Sequence, residues 1–170
     1  FYSRTRRLKE PRWAWRSGRL PKNRDSGAWT SFGVAPLENE RGTLHLFRLA
    51  FWNAGRTPIV GTDIVPGDRL RIGFANGTPI VSATILTPQG VNGRVAIELD
   101  EVLGCVLITF DRLNQRDGLV VQFVADTDRA PRVYGSLRTA APVKMASAVA
   151  GLLLLLPTPE KLDENFGYGA

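Results

Sequence analysis

The alternation of apolar and polar positions is clearest between Thr43 and Gly55, TLHLFRLAFWNAG, which starts as a two-faced strand and becomes a continuous apolar run through Leu49, Ala50, Phe51 and Trp52. Asn53-Ala54-Gly55 stops it. Upstream, Trp13 and Trp15 alternate with Arg12 and Arg16, predicting a first strand with rings on one face and guanidinium groups on the other. Downstream, Leu70, Ile72 and Phe74 alternate with Arg69, Arg71 and Gly73, and Val95, Ile97 and Leu99 alternate with Arg94, Ala96 and Glu98. Both are half-buried strands by their period of two. The stretch from Val102 to Leu113 reads as one long central strand covered on both faces, followed by strands over 119–125 and 132–138.

Turn chemistry separates these runs. Pro66-Gly67-Asp68 and Asn92-Gly93 are turns, and Asn76-Gly77 predicts a hairpin whose return strand is Pro79 to Thr87. About eight strands, some eight to twelve residues apart, predict an all-β chain. The expected architecture is a two-layer antiparallel β-sandwich, immunoglobulin-like or similar. Within it Trp52 fills the space between the sheets, Asn53 bonds to its own turn, and Phe110 lies in the core. With no helical pattern of ordinary length before residue 140, parallel α/β layouts are excluded.

The chain divides into a basic segment (1–10), a β-sandwich domain (11–138), and a tail (139–170). Residues 21–42 and 158–170 lack periodicity and read as a long loop and a disordered end. Met145 to Leu156 is a run of twelve residues, apolar but for Ser147, short of the roughly twenty that span a bilayer. It predicts a short apolar helix, packed on the domain or touching a membrane.

Charge sharpens the picture at one end. The chain carries a net charge of +6, yet residues 1–24 hold nine Lys or Arg against Glu10 alone, while the remainder has 13 basic and 15 acidic residues. The body is near neutral and the arm is cationic. Phe1 and Tyr2 followed by Arg4, Arg6, Arg7 and Lys9 resemble the cytoplasmic end of a transmembrane helix, which predicts an anionic membrane surface as partner. The alternatives are a disordered basic terminus on a soluble protein and a nucleic-acid arm in which Trp13 and Trp15 stack on bases.

Candidate chemistry is sparse. His45 is the one histidine and stands in an alternating strand, and Cys105 is the one cysteine, inside an apolar run. No nucleophile and base can be paired, and a zinc site of His and Cys lacks its ligands. The loop acids Asp63, Asp68, Asp100, Glu101, Asp111, Asp117, Asp126 and Asp128 show no calcium-loop spacing, and Asp is a common turn residue. The sequence thus predicts no catalytic residue, no metal and no cofactor.

Arg48-Leu-Ala-Phe-Trp-Asn-Ala-Gly-Arg56, Thr62-Asp63-Ile64, Asp68-Arg-Leu-Arg-Ile72, Leu107-Ile-Thr-Phe110, Leu113-Asn114 and Asp117-Gly118 together carry a resemblance over residues 2–138. The pattern resembles that of uncharacterised bacterial membrane-anchored proteins whose β-sandwich follows a transmembrane helix and a basic segment. The resemblance implies a membrane-associated protein with its folded domain facing the cytoplasm. The resulting expectation is a non-catalytic, membrane-tethered module that binds or senses a protein or small ligand.

Overall fold

The computed structural model describes residues 9–20, 43–89, 94–138 and 142–145. These form eleven strands: β1 (Pro11–Arg19), β2 (His45–Asn53), β3 (Ile59–Val60), β4 (Arg71–Gly73), β5 (Ile80–Gln89), β6 (Val95–Asp100), β7 (Cys105–Phe110), β8 (Arg112–Leu113), β9 (Gly118–Ala125), β10 (Arg132–Tyr134) and β11 (Lys144–Met145). A single 3₁₀ turn, Gly61–Asp63, joins β3 to the segment before β4.

Three open sheets result: β11-β1-β2-β9-β5, β10-β4-β7-β6, and the pair β3-β8. The described residues are mostly β, and their arrangement is sandwich-like. Period-two patterning is the reason, since it gives each of the two larger sheets an apolar face that must leave water. From the first sheet, Trp13, Phe47, Leu49, Phe51, Leu119, Val121 and Phe123 join Ile72, Val106, Ile108 and Phe110 of the second, and Leu70 just before β4, in one core cluster. Phe47 stacks on Phe123 with ring centroids 5.2 Å apart and meets the edge of Phe74 at 5.2 Å. Such pairs each contribute about 0.5–1.5 kcal/mol beyond their buried area.

Strand β1 carries out its pattern. Trp13 pairs with Phe51 and Trp15 with Leu49 on the core side, while Arg12 and Arg16 pair with Trp52 and Arg48 on the other.

Four expectations are corrected. Trp52 belongs to the outer face of the five-stranded sheet, buried with Ala14, Ala50 and Val120, because the apolar run has β-period and Phe51 takes the inward position. Asn76-Gly77 does form a turn, with Gly77 at φ 75° and its N–H donating to the Phe74 oxygen, but β4 and β5 enter different sheets. The turn is a crossover and no hairpin. The strand foreseen from Val102 begins only at Cys105, since Gly104 has φ 63° and residues 101–104 form the tip of a β6-β7 hairpin. Finally, β11 runs parallel to β1, with Arg12 opposite Lys144 and Trp13 opposite Met145. Met145, the expected first residue of a C-terminal helix, is therefore in a strand, and residues 146–156 lie outside the described residues.

A buried amide closes the end of the core. Asn53 is fully buried. Its Oδ1 accepts from the N–H groups of Glu10 and Gly55 at 3.3 and 3.0 Å, and its Nδ2 donates to the oxygens of Thr57 and Leu113 at 2.8 and 3.1 Å. All four of its hydrogen-bonding positions are used.

Candidate functional site

The outer face of the four-stranded sheet is ordered by register. Tyr134 stands opposite Arg71, Arg71 opposite Leu107, and Leu107 opposite Glu98. One row further along, Arg132 stands opposite Gly73, while Cys105 stands opposite Asp100. Gly73 and Cys105 are neighbours, since a Cβ built on the glycine would lie 3.6 Å from Cys105 Cβ and 3.8 Å from Tyr134 Cε2. Across the strands, both rows therefore pass from cations on β10 and β4, over an apolar middle, to carboxylates on β6. A cavity of about 510 Å³ lies on this face, with Arg69, Arg71 and Asp68 in its wall at one end and Asp100 and Leu103 at the other, while Arg132 and Glu98 stand on the same face outside that wall.

Each group has a local cause for its position. Arg71 lies over the Tyr134 ring, 5.5 Å from its centroid, and its Nη1 donates to Asp68 Oδ1 and to the Arg69 oxygen, both at 3.0 Å. Ser136 Oγ donates to the other oxygen of Asp68 at 2.6 Å. The Ser136 and Arg71 hydrogen bonds hold the Asp68 carboxyl below its ordinary pKa. At the far end, Asp100 Oδ1 accepts from the N–H groups of Val102 and Leu103 at 3.1 and 2.9 Å, tying the hairpin tip. That tip presents Val102 at 94 % and Leu103 at 66 % exposure. Burial and then Asp100 push the Cys105 thiol up, against the opposing pull of Arg71 and Arg69. The thiol thus lies between fields of opposite sign.

The other sheet presents a second polar group on its outer face, where Arg16 is opposite Arg48 and Arg48 opposite Gln122. Arg48 Nε donates to Gln122 Oε1 at 3.0 Å. Burial, and secondarily Arg16, lower the Arg48 pKa.

The residues singled out from sequence are scattered. Lys9 is built into the fold: its Nζ donates to both oxygens of Asp63 at 2.9 and 2.8 Å. Arg4, Arg6 and Arg7 lie outside the described residues. Trp13 is buried in the core and Trp15 packs against Phe47, with centroids 6.2 Å apart, so the core occupies the rings foreseen for base stacking. Trp52, Asn53 and Phe110 are all buried, in three different settings: outer cluster, amide knot and main core. His45 Nδ1 lies 3.1 Å from the Thr43 oxygen, in the sheet opposite the cavity.

Among the described residues, no three His, Cys, Asp or Glu side chains come together as metal ligands. Four of the loop acids, Asp63, Asp68, Asp100 and Asp117, bond to their own surroundings. Asp63 holds Lys9 and the Val60 N–H, and Asp117 holds the Asn114 N–H and side-chain amide. Among the described residues no helix is long and apolar enough to cross a membrane.

Sequence reasoning missed the graded face. Its parts were visible as the outward positions of four strands, but the strand order that sets them side by side was not. The chain matches no family model and no curated protein.

Proposed function

We propose that this protein is a non-catalytic β-sandwich module, tethered to a membrane by its amino-terminal segment, that binds or senses a partner on the outer face of its four-stranded sheet. The observation that supports it best is the cavity of about 510 Å³ on this face, with Arg69 and the Arg71-Asp68 pair at one end and Asp100 at the other. That volume suits a ligand site. The body serves in an immunoglobulin-like way, as a rigid two-sheet frame that presents one face.

The tether rests on the basic arm and on how it meets the body. Lys9 is ion-paired to Asp63, and the Glu10 oxygen accepts the Ala54 N–H at 2.8 Å. A membrane held by Arg4, Arg6 and Arg7 would thus lie a few residues from a fixed point on the sandwich. Clustered cations near a cytoplasmic leaflet add about 1 kcal/mol each. The resemblance to bacterial membrane-anchored proteins with a cytoplasm-facing domain agrees with this.

Flotation of the protein expressed from its natural start, with phosphatidylserine vesicles, tests the tether. The expected result is recovery with the vesicles, reduced when Arg4, Arg6 and Arg7 are replaced by Ser. A wholly soluble product removes the tether. Salt-sensitive DNA or RNA binding without vesicle binding would make the arm a nucleic-acid arm instead.

A further inference from the structure

The grading of the sheet face specifies a ligand chemistry, on the premise that the face is the binding site. Arg132 and Arg71 occupy β10 and β4, and Glu98 and Asp100 occupy β6. Arg69, exposed in the cavity wall, adds a third cation at the same end. Among the described residues, Arg69, Arg132, Glu98 and Asp100 form no ion pair, whereas Arg71 shares Asp68. Between the charged columns lie Gly73, Cys105 and Leu107, buried at the floor of the cavity, and the exposed Leu103 borders this apolar zone at the hairpin tip.

A polyanion does not suit this surface. Phosphates drawn to Arg69 and Arg71 would meet Glu98 and Asp100 two strands away. A purely apolar ligand leaves both charged columns unanswered. A ligand with one charge of each sign, separated by apolar groups, answers all three zones.

Spacing fixes the class further. Neighbouring strands are about 4.8 Å apart, so β4 to β6 is about 10 Å and β10 to β6 about 14 Å. An extended peptide advances about 3.3 Å per residue and covers that distance in three to four residues. We propose that the graded face takes an extended segment of a partner protein in which an acidic and a basic residue stand four positions apart, so that both side chains face the sheet, with apolar residues between them. The acidic side chain lies toward Arg71 and Arg132, the basic one toward Glu98 and Asp100, and the apolar residues cross Gly73.

Gly73 provides a way to close the site without touching the core. A side chain there projects into the cavity, and its Cβ meets only ordinary contacts at 3.6 and 3.8 Å. Fluorescence anisotropy of the full chain with a labelled heptapeptide, Gly-Glu-Leu-Ala-Leu-Lys-Gly, tests the proposal beside a peptide of the same composition with Glu and Lys adjacent. The spaced peptide is expected to bind about tenfold tighter, a difference of about 1.4 kcal/mol. Gly73→Leu and Glu98→Lys should each weaken it about tenfold with an unchanged circular dichroism spectrum, and replacing the peptide's Lys by Glu should restore binding to Glu98→Lys. Equal binding of the two peptides, or indifference to both substitutions, overturns the proposal.

Amide chemical shifts separate this outcome from a failure of the site itself. Inorganic phosphate or octanoate shifting the Gly73 and Leu107 resonances, with no response to the spaced peptide, overturns the peptide and leaves the face as a binding site. Silence toward all three probes removes both.

Discussion

The side-chain amide of Asn53 donates to the main-chain oxygen of Leu113 at 3.1 Å, joining the last residue of β2 to β8 across sixty positions of sequence. With its partners Glu10, Gly55 and Thr57, this amide ties the start of β1, the end of β2 and the β3-β8 pair at one end of the core. Asn53→Ala leaves two buried carbonyls and two N–H groups without it, and should lower stability by about 2–4 kcal/mol. Asn53→Asp keeps the shape but sets an acceptor against the Thr57 and Leu113 oxygens. Burial and that repulsion would raise its pKa, so its penalty should be largest at neutral pH and shrink in acid as the carboxyl takes up a proton. Urea unfolding of both variants at two pH values checks this.

Two glycines on different sheets should respond unequally to alanine. At Gly118 a Cβ would strike the Phe51 oxygen and approach Trp52 Cα to 2.9 Å, backbone that cannot swing aside. Gly118→Ala is expected to cost about 1–3 kcal/mol or more. At Gly73 the nearest atoms are 3.6 and 3.8 Å away, and Gly73→Ala should stay within about 1 kcal/mol of the parent. Thermal melts of the two variants decide the contrast.

The Cys105 thiol, pushed up by burial and by Asp100, should react slowly with iodoacetamide at neutral pH, because the thiolate is the nucleophile. Asp100→Asn retains an oxygen for the hairpin-tip N–H groups and removes the negative charge, so alkylation at pH 8 should accelerate. Arg69→Ala removes an opposing influence and should slow it. Equal rates in all three proteins would contradict the placement of the thiol between these charges.

Asp68 reports on the other side of the same face. Its carboxyl is held below the ordinary range by Ser136 first and Arg71 second. The native pKa being the lower one, the stabilisation is present above the unfolded-state value of about 3.9 and is lost as pH falls through the native one. Ser136→Ala should raise the Asp68 pKa in a carbon-detected NMR titration. An unchanged midpoint would show that the 2.6 Å hydroxyl contact does not persist in solution.

By itself the sequence determined which residues of each strand share a face. Trp13 with Trp15, Leu70 with Ile72, and Val95 with Ile97 and Leu99 all turn inward as their alternation requires, because a period of two is local to the strand. Only the tertiary structure decided which strands become neighbours. A turn such as Asn76-Gly77 fixes a reversal of the chain but not the hydrogen-bond partner of the next strand, and β5 pairs with β9 rather than β4. A continuous apolar run such as Leu49 to Trp52 likewise leaves open which parity faces the core until the opposing sheet is present, so Trp52 lies outside and Phe51 within. The graded face belongs to this second kind of information: Arg71 is distant in sequence from the β6-β7 hairpin that holds Glu98 and Leu107, and pairing of β4 with β7 brings all three into one row.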